Sequence, residues 1–221
     1  MLTSFSALAD DPKIGVDFDK TANIVPTGMP DKIVVTEIFS YGCKKCYQMN
    51  PKLEAWRKKL PSDVVFRRIP YSMGDHFRLA QGYFVMEDFG LTEKLHNLVY
   101  EYIHNSLHID PKIDKAHRRW SGNDSNYLDA KDDKALVRWI SMFGGIDEIK
   151  IKSDYHSIET RNKLHEAMTF IDATGVAIVG LPGIIVDGQY IVPADDERYL
   201  KVIDYVVANI RADRARAAAA K

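Results

Sequence analysis

Cys43 and Cys46 are the only thiols in this 221-residue chain, and only Lys44 and Lys45 separate them. They follow an apolar run, Ile33 to Phe39, at the point where a helical pattern begins. A C-x-x-C pair at a strand-to-helix junction is a redox motif. The loop that a Cys43-Cys46 disulfide closes is so short that it adds little stability compared with a longer one. The pair therefore points to chemistry rather than stapling. A zinc site needs about four ligands, and there is no second cysteine pair. His76, His96, His104, His108, His117, His156 and His165 show no metal spacing with the motif. No metal and no organic cofactor are expected, only a redox-active disulfide.

The two thiols should differ. Cys43 falls in the first turn of its helix, where unpaired N–H groups and the macrodipole favour negative charge. That favours the thiolate, the reactive form. Lys44 and Lys45 add positive charge. At about 6 Å and an effective dielectric between about 20 and 80, each contributes roughly 0.7–2.8 kcal/mol, with solvated lysines at the lower end. Cys46, one turn deeper, should be buried and keep a higher pKa. Cys43 is thus the expected nucleophile and leaving group, and Cys46 the resolving thiol. A depressed thiolate stabilises the reduced pair and makes its disulfide an oxidant.

Two further features bear on the pair. Glu37 interrupts the apolar strand. Turned inward, its carboxyl would have a raised pKa and could pass a proton to or from Cys46, with Arg67 or Arg68 as its partner. Turned outward, it would be an ordinary surface residue. Gly180-Leu181-Pro182-Gly183 precedes a second apolar run. Its X-Pro bond is either cis, presenting the backbone of Leu181 to an extended substrate by strand addition, or an ordinary proline at the start of a strand. Spacing alone leaves both open.

These residues need elements to hold them. Ile33 to Phe39 reads as a buried central strand. A helix from about Cys43 to Leu60 follows, with Pro51 inside it. Val64 to Ile69 is a second strand, and strand-helix-strand implies a parallel pair. Helical spacing dominates from Phe77 to Phe170, including Ala135 to Phe143 and Ile158 to Ile171. Asp110-Pro111 is a helix start, and the loop around Ser121 to Asp133 looks extended. Gly183 to Val186 and Tyr190 to Val192 flank Asp187-Gly188, a hairpin signal. A last helix is expected over Asp196 to Ile210, followed by a fraying tail. Phe18 and Ile24-Val25 read as a short edge strand. The expected architecture is α/β, a mixed sheet of about four strands. The division is 1–76 with the C-x-x-C, an inserted helical domain at 77–157, and 158–221 with the proline loop, hairpin and last helix.

The formal net charge of -1 gives no field to recruit nucleic acid or an anionic membrane. At 46% hydrophobic and 28% charged, the composition is that of a globular domain with a real core. Ala7-Leu8-Ala9 before Asp10-Asp11 resembles the end of a secretory signal peptide whose basic and apolar parts are mostly missing; a plain N-terminal tail is the alternative. A signal peptide would place the chain in an oxidising compartment.

The stretch EIFSYGCKKCYQMNP, the segment GLPGIIVDGQYIV and the helical block between them resemble the thioredoxin superfamily, and within it the DsbA-like thiol:disulfide oxidoreductases. The resemblance covers nearly the whole chain. It implies a thioredoxin fold with a large inserted helical domain. Cys43 matches the exposed catalytic cysteine and Cys46 the buried one. Pro182 matches a cis-proline, Leu181 the residue facing the pair, and Glu37 a buried acid. It further implies a periplasmic dithiol oxidase without metal or organic cofactor, acting on folding secreted proteins that bear thiols, with a DsbB-like membrane reoxidase. A monomer is expected, since no separate dimerisation segment is evident. One departure stands out: such enzymes commonly carry Pro-His between the cysteines, where this chain has Lys44-Lys45. A reductase or isomerase of the same fold, a peptide-binding chaperone, and a kappa-type glutathione transferase are the rival readings.

Overall fold

The computed structural model describes residues 11–74, 77–104, 133–194 and 198–220. The expectations on Ala7-Leu8-Ala9, Asp110-Pro111 and the loop at 121–132 lie outside them. In chain order the elements are β1 (Asp19–Lys20), β2 (Ile33–Phe39), α1 (Lys44–Arg57), β3 (Val64–Pro70), α2 (Phe77–Asp88), α3 (Thr92–His104), α4 (Asp133–Gly144), α5 (Glu148–Tyr155), α6 (Ile158–Thr174), a single 3-10 turn (Val176–Val179), β4 (Gly183–Val186), β5 (Tyr190–Pro193) and α7 (Tyr199–Ala219).

The sheet has five strands in the order β1-β5-β4-β2-β3. β2 runs parallel to β3 and antiparallel to β4. Both of its edges are paired and all seven of its residues are buried, which is why its sequence reads as a near-continuous apolar run. Ile33 and Val35 face α1 and α7, packing with Leu53, Ile203 and Val206. Ile38 points the other way, onto Ile171 of α6 and Val176. This is the period-two alternation of a strand covered on both faces. A third cluster joins α2 to α6 around Met86, Leu95, Trp139, Ile140, Ile151 and Leu164, and it takes in Phe39, Tyr41 and Cys46. The C-x-x-C therefore lies where the helical insertion meets the sheet.

Several elements differ from the sequence-based expectation for local reasons. α1 starts at Lys44, not Cys43, and stays one helix through Pro51. The edge strand is Asp19–Lys20, a fifth strand paired with β5. Ile24-Val25 is instead a strap across the β4-β5 turn, because the Val25 N–H donates to the Gly188 carbonyl at 3.0 Å. Asp187 and Gly188 both have positive φ, 55° and 68°, as a type I′ turn requires. A Cβ on Gly188 would lie 1.9 Å from the Val25 carbonyl oxygen, so glycine alone fits under the strap. α5 lies within the span read as helical, and Asp147 sets its start by accepting the N–H groups of Ile149 and Lys150. α7 does not fray after Ile210. Arg214 donates to both carboxylate oxygens of the buried Asp187 at 2.9 and 2.7 Å, and to the carbonyls of Pro30 and Lys32. A buried carboxylate needs such a partner, and Arg214 fastens the last helix to the hairpin in supplying it.

Candidate active site

The end of β2 delivers the chain to Ser40, Tyr41 and Gly42, which turn it into α1. The Cys43 N–H donates to the Ser40 carbonyl at 3.1 Å, and the Gly42 N–H to the Ser40 hydroxyl at 3.2 Å. Cys43 is thereby placed as the N-cap of α1, with extended backbone angles of -84° and 112°. Its sulfur accepts the Cys46 N–H at 3.1 Å. That is the bond a serine or aspartate N-cap normally accepts. Here the acceptor is the sulfur itself, so helix capping and thiolate stabilisation are one interaction.

The two thiols are unequal. Cys43 is half-buried and Cys46 fully buried. The Cys43 pKa is lowered to about 7. The hydrogen bond from the Cys46 thiol is the largest cause; burial opposes it, and the backbone N–H groups of Cys46 and Lys45 add to it. The charge on Lys45 comes last, and Lys44 is exposed. The lysines thus matter less than their position between the cysteines suggests, because the helix N-terminus and the second thiol stand closer to the sulfur. Burial pushes Cys46 far up, and its bond to Cys43 pushes it further.

The sign of the pH dependence follows. A thiol whose folded pKa is depressed stabilises the reduced protein at alkaline pH, and that stabilisation is lost as pH falls through the folded pKa. Ultraviolet thiolate absorbance of the reduced protein should titrate with a midpoint near the Cys43 value of about 7. A midpoint near an ordinary thiol value of about 8.5 would contradict the capping argument.

Leu181 and Pro182 close the site from the other side. Their peptide bond is cis, and the Leu181 carbonyl oxygen lies 3.7 Å from Cys43 Sγ, which donates to it as a thiol. Pro182 and all of β4 after it are buried, whereas Ile178 and Val179, just before the loop, are exposed.

Glu37 is turned inward and is 1% exposed. Burial raises its pKa, and the Arg68 guanidinium pulls it back. Arg68, its partner across the parallel pair, donates from Nε to Glu37 at 2.7 Å. The same guanidinium also holds Glu54 of α1. Glu54 in turn pairs with Arg57, and Arg57 with Glu93 at 2.6 Å. A ladder of alternating charges therefore runs from beneath the motif to the surface. Arg67, the other candidate partner, instead donates to Thr36 at 2.9 Å and covers the Phe170 ring. The field of Glu37 reaches Cys46, raising the cost of a charge there.

Helix α3 supplies residues that the sequence reading missed. His96, Tyr100 and His104 recur at every fourth position and so share one face. His96 is buried, and burial holds its imidazole well below the usual range, hence neutral. Its Nε2 lies 3.1 Å from Asn50 Oδ1, and its Nδ1 2.9 Å from the Tyr41 hydroxyl. Asn50 Nδ2 donates onward to Asn97 at 2.6 Å. These partners assign the proton to Nε2, with the Tyr41 hydroxyl donating to Nδ1. His104 Nε2 donates to the Tyr41 carbonyl at 2.7 Å and its ring stacks on Tyr47 at 4.9 Å. Tyr41, two residues before Cys43, is thus held by two histidines of the helical insertion, His96 at its hydroxyl and His104 at its carbonyl. The four-residue spacing on α3 was the available signal.

Among the described residues no cluster of histidine, cysteine or acidic side chains could hold a metal. What the arrangement offers is a half-exposed nucleophilic sulfur, a buried second sulfur beside it, and a backbone carbonyl opposite.

No family model matches the chain. It is 29% identical over 218 residues to the thiol:disulfide interchange protein DsbA of Pseudomonas aeruginosa, covering 96% of this chain and 92% of that one. The DsbA of Azotobacter vinelandii is 29% identical over 211 residues, covering 91% and 86%. The crystal structure of Pseudomonas aeruginosa DsbA superposes with a TM-score of 0.74 over 96% of this chain and 99% of that chain.

Proposed function

We propose, from the premise that this chain is a DsbA-like thiol:disulfide oxidoreductase of the thioredoxin superfamily, that Cys43 and Cys46 carry the disulfide it donates to folding proteins. The observation that carries this reading is the sulfur N-cap: Cys43 Sγ accepts the Cys46 N–H while Cys46 itself is fully buried. In the active, oxidised form a substrate thiolate attacks Cys43 Sγ. A bond forms between the two sulfurs, the Cys43–Cys46 bond breaks, and its electron pair passes to Cys46, which takes a proton. A second substrate thiolate then attacks the substrate sulfur of the mixed disulfide. The substrate leaves oxidised, and Cys43 leaves as the thiolate that its cap stabilises. The first attack is directed to Cys43 because its sulfur is the accessible one of the pair, and in the second step Cys43 is a good leaving group because its thiolate is stabilised.

Glu37 supplies a buried carboxylate below the pair. Leu181 offers its backbone to the substrate chain, Pro182 fixes the start of β4, and exposed Ile178 and Val179 beside them give an unfolded chain apolar surface to rest on. Lys45 assists the Cys43 thiolate modestly, and Lys44 faces the incoming substrate. The proposed setting is the periplasm, supported by Ala7-Leu8-Ala9 and by the resemblance of the whole chain. A DsbB-like membrane partner would return the pair to the disulfide, and the protein would act as a monomer.

The test is stoichiometric. The oxidised protein, mixed with a reduced unfolded protein bearing several cysteines, should transfer one disulfide per chain and end as the dithiol. Equilibration with glutathione should place its potential on the oxidising side of thioredoxin, whose potential is about -270 mV. A potential at or below that value would favour the reductase reading instead.

A further inference from the structure

One imidazole touches the chain on both sides of the attacked sulfur. His104 Nε2 donates to the Tyr41 carbonyl at 2.7 Å, two residues before Cys43. Its ring lies nearly parallel to that of Tyr47, at 13° and 4.9 Å, four residues after Cys43. Tyr47 is fastened to α3 again through its hydroxyl, which donates to Glu101 at 3.1 Å. The Tyr41 carbonyl and the Gly42 N–H belong to one planar peptide unit. His104 holds that plane at its oxygen, and the Ser40 hydroxyl holds it at its nitrogen, at 3.2 Å. The Cys43 N–H then closes the turn onto the Ser40 carbonyl at 3.1 Å. Gly42 is exposed and brings no side chain to restrain the turn. Ser40 belongs to the turn itself, so His104 is what anchors this peptide plane to the helical insertion. The direction of the plane decides where Cys43 Sγ lies, and Sγ caps α1 by lying 3.1 Å from the Cys46 N–H.

We infer that His104 is a positioning residue for the exchange reaction: by holding the Tyr41 carbonyl it keeps the Cys43 sulfur on the cap of α1, and so sets the oxidising strength of the Cys43-Cys46 disulfide. This rests on the thiol:disulfide exchange at Cys43 proposed above. His104 acts through the turn, not on the sulfur. The donors that stabilise the Cys43 thiolate are the Cys46 thiol and the backbone N–H groups of Cys46 and Lys45. All of them are fixed to the first turn of α1, and a hydrogen bond weakens steeply once its acceptor leaves the favoured distance and angle. The oxidised pair gains little from these donors, because a disulfide carries no charge. A turn that holds Sγ in place therefore stabilises the reduced protein, and a stabilised leaving thiolate makes the disulfide the stronger oxidant. The charged and titratable groups on the elements that meet at Cys43 are Lys44, Lys45 and Cys46 on α1, Glu37 on β2, and His96 and Glu101 on α3. A change confined to His104 leaves all of them in place.

His104→Met and His104→Gln test this as a pair, since the two replacements match in length and differ in the donor. The glutamine Nε2 can stand in for the imidazole N–H, and methionine has no donor to offer. In reduced His104→Met the thiolate absorbance midpoint should rise by about 0.7 of a pH unit, the size expected for one hydrogen bond. Its equilibrium constant for oxidising glutathione at about pH 8.5 should fall about fivefold. At about pH 5.5 the constant should equal that of wild type, because both proteins then hold the thiol and a lowered folded pKa contributes only above itself. His104→Gln should stay within about twofold of wild type at both pH values. A His104→Met constant within about twofold of wild type at both pH values would overturn the inference. So would an equal loss at both, which marks a disturbed site, or a His104→Gln as weak as His104→Met, which gives the effect to the ring or its charge. If the wild-type protein does not exchange with glutathione, the underlying reading falls and takes this one with it; if the wild type exchanges and His104→Met equals it, only this one falls.

Discussion

Cys43→Ser reduces disulfide transfer to the uncatalysed level while leaving the fold intact. Both halves of this expected result come from the cap geometry. Serine is among the preferred N-cap residues, and its hydroxyl can accept the Cys46 N–H that the sulfur now accepts at 3.1 Å. Helix α1 therefore keeps its first turn, and the denaturation midpoint should stay within about 0.5 kcal/mol of wild type or rise. What disappears is the accessible one of the chain's two thiols, because Cys46 is fully buried. Cys46→Ser separates the roles further. It leaves Cys43 able to form a mixed disulfide with a pre-activated substrate but removes the thiol that could release it. The measurement is the rate of disulfide formation in a reduced unfolded protein, alongside a denaturation curve. Transfer surviving in Cys43→Ser would overturn Cys43 as the attacked sulfur, whereas binding of unfolded protein that survives the loss of transfer is what the chaperone reading expects.

What the sequence conveyed about this site, and what it withheld, divides by the range of the interactions. The C-x-x-C, the buried strand before it and the Asp187-Gly188 hairpin are local patterns, and a local pattern carries its own geometry. Local logic also placed Cys43 at the helix start, which is enough to separate the two thiols. The same logic overvalued Lys44 and Lys45. They adjoin the cysteines in sequence, yet the hydrogen bonds of Cys46 act on the Cys43 sulfur more strongly than either side-chain charge. The pinning of Tyr41 by His96 and His104, across 55 and 63 residues, was not legible. Neither was the clasp of Arg214 on Asp187, in a tail whose alanine-rich sequence suggested fraying. Glu37 sits between these cases. Its interruption of an apolar strand marked it out and left inward and outward orientations open, and the choice of Arg68 over Arg67 depends on which face of β3 each occupies. The pairing register of β2 and β3 sets that face.

Arg68 is where removing one side chain should cost the most stability. Its guanidinium is 8% exposed and holds two carboxylates, Glu37 at 2% and Glu54 at 10%. Arg68→Met fills similar space but leaves both carboxylates buried without it. Breaking a buried ion pair by deleting one partner typically costs about 3–5 kcal/mol, because an uncompensated charge remains. Glu54 retains Arg57, at 2.6 Å, so the larger share of the penalty falls on Glu37, which among the described residues has no second cation in hydrogen-bond contact. The loss should also depend on pH with a definite sign. Without Arg68, burial and the charge on Glu54 push the Glu37 pKa further above the unfolded value, opposed only by the weaker pull of Arg57. A carboxyl with a raised folded pKa destabilises the fold above that pKa, and the penalty fades as pH falls and the group is protonated. The variant should therefore recover toward wild type between about pH 7 and about pH 5. Wild-type stability should not rise over that interval from Glu54, whose pKa is lowered: burial pushes it up, and the hydrogen bonds of Arg57 and Arg68 outweigh that. Adding Glu37→Gln to Arg68→Met removes the stranded charge and should restore part of the loss at neutral pH. Urea denaturation of the three proteins at both pH values measures this. A single variant within about 1 kcal/mol of wild type at neutral pH, or a loss that grows on acidification, would mean that Glu37 is already protonated beside Arg68 and that the site beneath Cys46 is uncharged.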